Sequence, residues 1–549
     1  MALSFKVQKY IYIIIILAVN LLLSLALNYY DEYWYLYILI LTPNSLLTIL
    51  RIIFITIVSI YEYFNKKNYK TIKNKSIVYL TPCYNESKQE LYDNINSIIN
   101  QKDINDYNNQ LMVIICDGKV TGKGNDKSTD RILVENIFHG CIFHTSLSIN
   151  AYKTWDNEFN DVNIYAGVYK HMKFILLIKQ ENVGKRDSIS LLRNNLYKYN
   201  TYNTNNEYTV LDKQLFKLYS NFGVNKLDCI IGTDGDTVLD NKCVHHLITE
   251  LYNEDDKNIV GLAGFIKISD KMNFWSPIVF HQHISYIKGQ ITTRLHQSKI
   301  TKKVNCLPGC VQIINIQEET CGNKIMDEYN RLPTKDESLV RNLRAHVGED
   351  RMHICTAMVM FPHIKTKQSI NAIAYTTVPN SWKVYLSQQR RWGLGSNSNQ
   401  TKLVMSSKIN VYERISAFFN ILSWLLTFFI TFAVIHLIIA LTKLDYFNFE
   451  SDLIWATVIS ITIIVSVVNI YLIICPTWLS LSKKETIFLY IGILTWYVIS
   501  LPLKIIVHIY TLYNLDNFSW GETRQIEEEP IREEYNYSEN ISPITIHCV

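Results

Sequence analysis

The run YIYIIIILAVNLLLSLAL, from Tyr10 to Leu27, carries no charge. It is close to the roughly 20 residues a helix needs to cross a hydrocarbon core. A second apolar stretch follows from Leu36 to Ile60, and no small-residue cleavage site stands out after the first. The pair therefore predicts a retained anchor rather than a removed signal peptide. An acidic, aromatic loop, NYYDEYW, separates the two, and Lys66, Lys67, Lys70, Lys73 and Lys75 follow the second. By the positive-inside rule the N-terminus and everything after Lys66 face the cytosol.

No spanning candidate occurs from about residue 76 to 405. Apolar segments return at 415–441, 453–475 and 486–513. The predicted organisation is two transmembrane helices (1–64), a cytosolic domain (65–380), amphipathic interface helices (381–411), transmembrane or re-entrant segments (412–514), and a cytosolic tail (515–549). Arg51 and Lys504 lie within apolar segments, where a charge must face protein or water or snorkel to an interface; snorkelling suits Lys504 better. Five full spans would place Trp520-Gly-Glu-Thr-Arg524 outside. Leu501-Pro502 interrupts the last segment, however, and favours a broken, re-entrant or interfacial piece that returns to the cytosol.

Composition removes other classes. At 48% hydrophobic and 19% charged the chain is not disordered. A net charge of +5 spread over 549 residues predicts no nucleic-acid partner. Eleven cysteines, an odd number without repeated spacing, argue for a reduced, cytosol-facing body. The 36 Tyr, 22 Phe and 10 Trp suit membrane interfaces or stacking against sugars.

Within 65–380, SIVYL (76–80), QLMVIICD (110–117), FILLIKQ (174–180), DCIIGTD (228–234), NIVGLAGFI (258–266) and VQIINI (311–316) read as buried strands with helical stretches between some of them. That pattern predicts an α/β domain with a largely parallel sheet and a site at the strands' carboxyl ends. Polar clusters stand there: Tyr84-Asn85-Glu86, Asp117-Gly118 and Asp234-Gly235-Asp236.

Asp234 and Asp236 could hold Mg²⁺ or Mn²⁺ and, through it, a diphosphate. A turn with solvated acids explains the same triplet. Gly184-Lys185-Arg186-Asp187-Ser188 opens a helix and could face phosphate, or be a plain helix start. Asp350 of Glu349-Asp350-Arg351 could be a general base, or one of two first-turn acids that favour the helix dipole. In SWKVYLSQQRRW (381–392), Gln388, Arg391 and Trp392 share one helical face suited to sugar and phosphate. Trp382, Tyr385 and Leu386 form an apolar patch that suits a membrane interface. A basic amphipathic helix without catalytic role fits too. Cys306 and Cys310, without a second pair, do not make a zinc site.

Taken in order, D-x-D, E-D and Q-x-x-R-W before a membrane bundle resemble the processive family 2 glycosyltransferases, which include cellulose, hyaluronan and chitin synthases. The finer motifs resemble chitin synthase: Pro82-Cys-Tyr-Asn-Glu86, Cys116-Asp-Gly118, Gly124-Asn-Asp126, Gly184-Lys-Arg-Asp-Ser188, Cys306-Leu-Pro-Gly-Cys310, Gly348-Glu-Asp-Arg351 and Asp516-Asn-Phe-Ser-Trp-Gly-Glu-Thr-Arg524. The similarity runs from about residue 76 to 524. Two departures are DGD for the usual DAD, and Gln-Gln-Arg-Arg-Trp for the usual Gln-Arg-Arg-Arg-Trp; both keep the functional groups. The sequence shows no large N-terminal extension, which puts regulation by flanking domains in doubt.

The resemblance implies an α/β GT-A-type domain inserted between transmembrane helices of a polytopic plasma-membrane protein. It implies that UDP-GlcNAc is the donor, a nascent chitin chain the acceptor, and the bilayer a partner; homodimerisation is left open. Tyr84, Glu86 and Asp117 would hold the uridine, Lys185 would face the phosphates, and Asp234 would support nucleotide and metal. Asp236 would bind Mg²⁺ or Mn²⁺, and Asp350, with Glu349 beside it, would deprotonate the acceptor's C4 hydroxyl. Arg391 would close over the diphosphate, Trp392 would stack under the acceptor, and Gln388 shares their face. Leu307, Pro308, Gly309 and Cys310 would shape the acetamido and acceptor pocket, and Trp520 would lie near the active site. The alternatives are another synthase of the superfamily, such as a hyaluronan synthase, and a non-enzymatic membrane protein. The last leaves the acids and bases at the strand ends without a purpose.

Overall fold

The structure is a computed structural model that describes residues 3–29, 35–65, 69–70, 72–104, 109–334, 336–442 and 449–518. Lys66, Lys67, Trp520 and the acidic tail lie outside the described residues.

Among the described residues ten strands form one sheet. They are β1 (Ser76–Cys83), β2 (Asn109–Cys116), β3 (Ile142–Lys153), β4 (Phe159–Tyr169), β5 (Met172–Lys179), β6 (Cys229–Gly232), β7 (Val238–Leu239), β8 (Ile259–Ile268), β9 (Gln312–Asn315) and β10 (Lys365–Thr376). Their spatial order is β3-β4-β5-β2-β1-β6-β9-β8-β10-β7. All six strands expected from the sequence are present. β1 is buried along its whole length and alternates between two cores: Ile77 and Tyr79 join Leu91, Ile95 and Ile98 on one face, while Val78 and Leu80 join Ile189, Leu192 and Leu196 on the other. That two-residue period is the pleat itself, and helices cover both faces.

The expectation of a largely parallel sheet needs correction. β5-β2-β1-β6 is parallel, but β9 runs antiparallel to both its neighbours, and β3 and β4 form an antiparallel hairpin at one edge. The hairpin escaped a reading based on apolar runs because β3 is an edge strand with Phe143, Leu147 and Ile149 exposed between polar residues. The parallel centre still aims the ends of β1, β2 and β6 the same way, which brings their polar clusters together.

Among the described residues two helices, Phe5–Tyr29 and Leu46–Phe64, are long and apolar enough to cross a membrane. Two further apolar pairs, Val411–Leu425 with Thr427–Ile439 and Lys483–Trp496 with Val498–Tyr513, are each bent by 74°. The second bend falls about one turn before Pro502, where the missing N–H and the ring both disturb the carbonyl four residues back. At the first bend the Asn20 side chain donates to Leu425 O (2.9 Å) and accepts from Phe429 N (2.8 Å), the two groups that an unbroken helix would join to each other.

Lys483–Tyr513 rests on the α/β domain at its start and on the helix Trp382–Met405 at its end. Near its start, Glu485 meets Lys267 at 3.1 Å with both side chains buried; just past its end, Asn514 O accepts from Arg390 at 3.3 Å. Arg51 is buried and donates to Ser416 Oγ, so protein rather than an interface receives its charge. Lys504 is exposed.

Candidate active site

A cavity of about 2090 Å³ opens at the carboxyl ends of β1, β2 and β6. Tyr84, Glu86, Asp117, Lys185, Asp234, Asp236, Pro308, Gly309, Cys310, Glu349, Asp350, Gln388, Arg391 and Trp392 all line it. Two expected residues do not belong to this set. Leu307 is fully buried and packs with Val260, Val304, Ile314 and Met352, because the apolar residue of that loop is drawn into the core while its neighbours face the cavity. Trp520 lies outside the described residues.

Gly309 is the centre of the charged group. Its N–H donates to Asp350 Oδ2 at 2.7 Å. A Cβ there would come within 2.9 Å of Lys185 Nζ, 3.1 Å of Asp234 Oδ1 and 3.3 Å of Asp350 Oδ1, so only glycine leaves these groups their places. Lys185 Nζ meets Asp234 Oδ1 at 2.6 Å. Burial alone would favour the neutral amine, but Asp234, Asp350 and Glu349 outweigh it and raise the Lys185 pKa, keeping it charged. The Asp350 pKa is pushed up to about 7, by burial first and by Glu349 and Asp234; Lys185 and the Gly309 N–H pull the other way. Burial, helped by Asp234 and Asp350, holds the Cys310 thiol well above its usual range and therefore protonated.

The start of the helix Glu349–Met360 is fixed by its neighbour. A Cβ on Gly348 would lie 2.9 Å from Gly395 Cα, within the helix Trp382–Met405 that carries Gln388, Arg391 and Trp392. Trp392 is 45% exposed and meets Tyr286 edge-on at 5.9 Å. Gln388 Oε1 is buried and has no hydrogen-bond partner. Arg391 is buried near Glu349, and burial lowers its pKa from the usual guanidinium value. The patch expected to lie on a membrane is partly covered by protein: Tyr385 is buried with Ile278 and Leu503, although Trp382 remains exposed.

Several supporting residues escaped the sequence reading. Lys179 is fully buried between Asp117 Oδ1 (2.5 Å) and Asp187 Oδ2 (2.9 Å). Asp117 also accepts from Val183 N and Gly184 N, so it ties down the turn that presents Lys185. Buried Asn94 donates to Thr233 Oγ1, Asp234 O and Thr237 O, which pins the Asp234-Gly235-Asp236 turn. Its signal was a polar residue on the apolar face of Leu91, Ile95 and Ile98. Thr377 Oγ1 donates to Asp236 Oδ2 at 2.7 Å and gave no signal, because β10 itself was not foreseen. Gly235 faces Glu86: a Cβ there would sit 3.0 Å from Glu86 Cδ, while Glu86 Oε2 accepts from Tyr84 N and Asn85 N.

Among the described residues no group of three or more His, Cys, Asp or Glu side chains could hold a metal ion. Asp234 and Asp236 alone match a Mg²⁺-type site, in which one or two carboxylates are completed by substrate phosphates and water.

Comparison with known proteins identifies the family. A family model described as chitin synthase matches residues 51–546. Chitin synthase 8 of Gibberella zeae is 30% identical over 533 residues, which cover 95% of this chain and 78% of the relative. Chitin synthase 8 of Verticillium dahliae is 31% identical over 479 residues, 82% of this chain and 77% of the relative. A solved mannosyltransferase of Pyrobaculum calidifontis, in complex with GDP-Man and Mn²⁺, aligns over 86% of this chain and 99% of its own at 11% identity and a TM-score of 0.41, too distant to add to the fold described above. The relatives do not favour a hyaluronan synthase, and with the family model covering most of its length the chain belongs to the chitin synthase family of glycosyltransferases.

Proposed function

We propose that the cavity transfers GlcNAc from UDP-GlcNAc to the C4 hydroxyl at the non-reducing end of a β-1,4-linked chain, on a GT-A-type domain. The observation that carries this is the meeting of Lys185, Asp234 and Asp350 around Gly309, which puts a base beside a diphosphate-binding cation. Asp350 takes the hydroxyl proton, and the resulting oxygen attacks the anomeric carbon. The bond from that carbon to the β-phosphate oxygen breaks, UDP departs, and the α-linked donor becomes a β-linkage. A pKa of about 7 leaves Asp350 ionised in part and basic enough to accept that proton near neutral pH. Lys185 and Arg391 receive the charge that builds on the departing diphosphate. Tyr84, Glu86 and Asp117 shape the uridine end, and Glu349 keeps Arg391 and Lys185 in place by charge.

Asp234 and Asp236 would hold a Mg²⁺ or Mn²⁺ ion, whose bound charge would neutralise the donor phosphates. Trp392, with Gln388 beside it, offers a flat wall for the acceptor ring.

The chain is read as a multi-pass protein of the plasma membrane with its catalytic domain and N-terminus in the cytosol. Phe5–Tyr29 and the helix ending at Phe64 would cross, as would 411–439 and 449–474. The bent Lys483–Tyr513 would lie at the interface, because its start touches the α/β domain and its end the helix Trp382–Met405 that carries Arg391. That count is even and returns residues 514–518 to the catalytic side. The cavity reaches Asn420, Trp424 and Tyr510 on these helices, a route by which a polar chain could leave.

The test is purified protein supplied with UDP-GlcNAc alone, and with UDP-glucuronate added. Insoluble, chitinase-sensitive product from the first mixture is the expected result. Product that forms only when both donors are present would overturn the reading.

A further inference from the structure

The first turn of the N-terminal helix does more than enter a membrane. Lys9 Nζ meets Asp516 Oδ1 at 2.7 Å, and the Lys9 side chain is only 14% exposed. The Phe5 ring meets Phe518 edge-on at 5.2 Å, and Gln8 Oε1 accepts from Leu339 N at 2.9 Å. Three successive contacts thus tie the beginning of the chain to its far end and to the helix Leu339–His346.

The segment they hold is part of the cavity. Asn517 and Phe518 line it, and Asn517 O accepts from the buried Arg390 at 2.5 Å, next to Arg391 in the acceptor-side helix. Phe518 packs on His346 at 5.5 Å, His346 meets Trp155 at 5.6 Å, and the Trp155 indole N–H donates to Val183 O at 3.1 Å. Val183 belongs to the turn that Asp117 ties down and that presents Lys185. The row of rings therefore runs from the N-terminal helix to the donor side of the site. Arg186, stacked between Trp155 and Tyr329 at 4.8 Å from each, stiffens it.

We propose that residues 5–9 form a strap holding segment 514–518, the wall that links the acceptor-side helix through His346 and Trp155 to the turn of Lys185, with Lys9 as a positioning residue for UDP-GlcNAc binding. The proposal rests on the reading of the cavity as a UDP-GlcNAc site. An ordinary surface ion pair contributes little to a protein, but this one is mostly shielded and lies between two other contacts, so its loss should be felt where the wall meets donor. Retention of Lys9 purely as a membrane-edge charge would predict no effect on donor binding.

The experiment uses the full chain in detergent or vesicles, comparing wild type, Lys9→Glu, and the exchanged pair Lys9→Asp with Asp516→Lys. The strap predicts that Lys9→Glu raises the KM for UDP-GlcNAc about tenfold while kcat, per folded enzyme, changes much less. The exchanged pair should recover most of that loss, which also answers any concern that the single variant folds poorly. An unchanged KM in Lys9→Glu, or a KM that the exchanged pair does not restore, would overturn the strap. Wild type measured alongside tests the underlying reading separately: its use of UDP-GlcNAc to make polymer supports the site, and the variant's KM then decides the strap.

Discussion

Gly348 and Gly395 cross backbone to backbone: a Cβ on the first would lie 2.9 Å from the second's Cα, and one on the second 3.0 Å from the first's. This contact joins the Glu349-Asp350 helix to the helix of Gln388, Arg391 and Trp392. It sets the base relative to the acceptor wall. Gly395→Ala would also drive a methyl to 2.7 Å from Val347 O, so the start of the Glu349 helix must shift. We expect kcat to fall roughly tenfold to a hundredfold, since small misplacements of reacting groups are costly, while the KM for UDP-GlcNAc holds. Steady-state kinetics on folded enzyme checks this; an unchanged kcat counts against a positioning role.

Asp350→Asn keeps size but removes basicity. Turnover should fall by roughly 10²–10⁴ while UDP binding persists. Because Asp350 must be ionised to accept a proton, the kcat/KM of the wild type should rise with pH through an apparent pKa near 7. Lys185 lowers that pKa, so in Lys185→Met the residual activity should rise only at higher pH. A limb that moves to lower pH would contradict the ion-pair geometry.

Asp236→Ala should abolish metal-dependent donor binding, and exhaustive chelation of the wild type should silence it. Binding of UDP-GlcNAc followed by calorimetry, with and without added Mn²⁺, gives the answer. Full affinity after chelation would remove the metal from the proposal.

Trp392→Ala should stop polymer formation yet leave slow hydrolysis of UDP-GlcNAc, because water needs no stacking platform. If Trp392 serves only to pack against Tyr286, both activities should fall together as folded protein is lost. UDP release and polymer mass, measured on one sample, separate these outcomes.

Asn20→Leu removes the partner of Leu425 O and Phe429 N at a bend within apolar surroundings. The expected loss is about 1–3 kcal/mol of stability, seen as a lower unfolding temperature in detergent. Asn20→Gln, which keeps both a donor and an acceptor, should lose less.

The amino-acid order predicts apolar segments flanking a polar centre, because uncharged runs of spanning length have few other places to go. It also determined the six buried strands, whose continuous apolar runs are legible, and the acids and bases at their ends. It named fourteen of the residues that line the cavity, since the motifs place whole constellations in a familiar order. Packing settles which way each residue of a motif faces: Leu307 turns into the core while Pro308, Gly309 and Cys310 face the cavity. It also decided the sheet's mixed sense, as the β3–β4 hairpin has one side in water and lacks an apolar run. The contacts that complete the site, Gly348 against Gly395, Asn94 beneath the Asp234 turn, Thr377 on Asp236, and Lys9 on Asp516, join residues far apart in the chain. Local periodicity reports only on neighbours within a few turns, so such pairings are fixed by how the elements pack and by which buried polar groups must find partners.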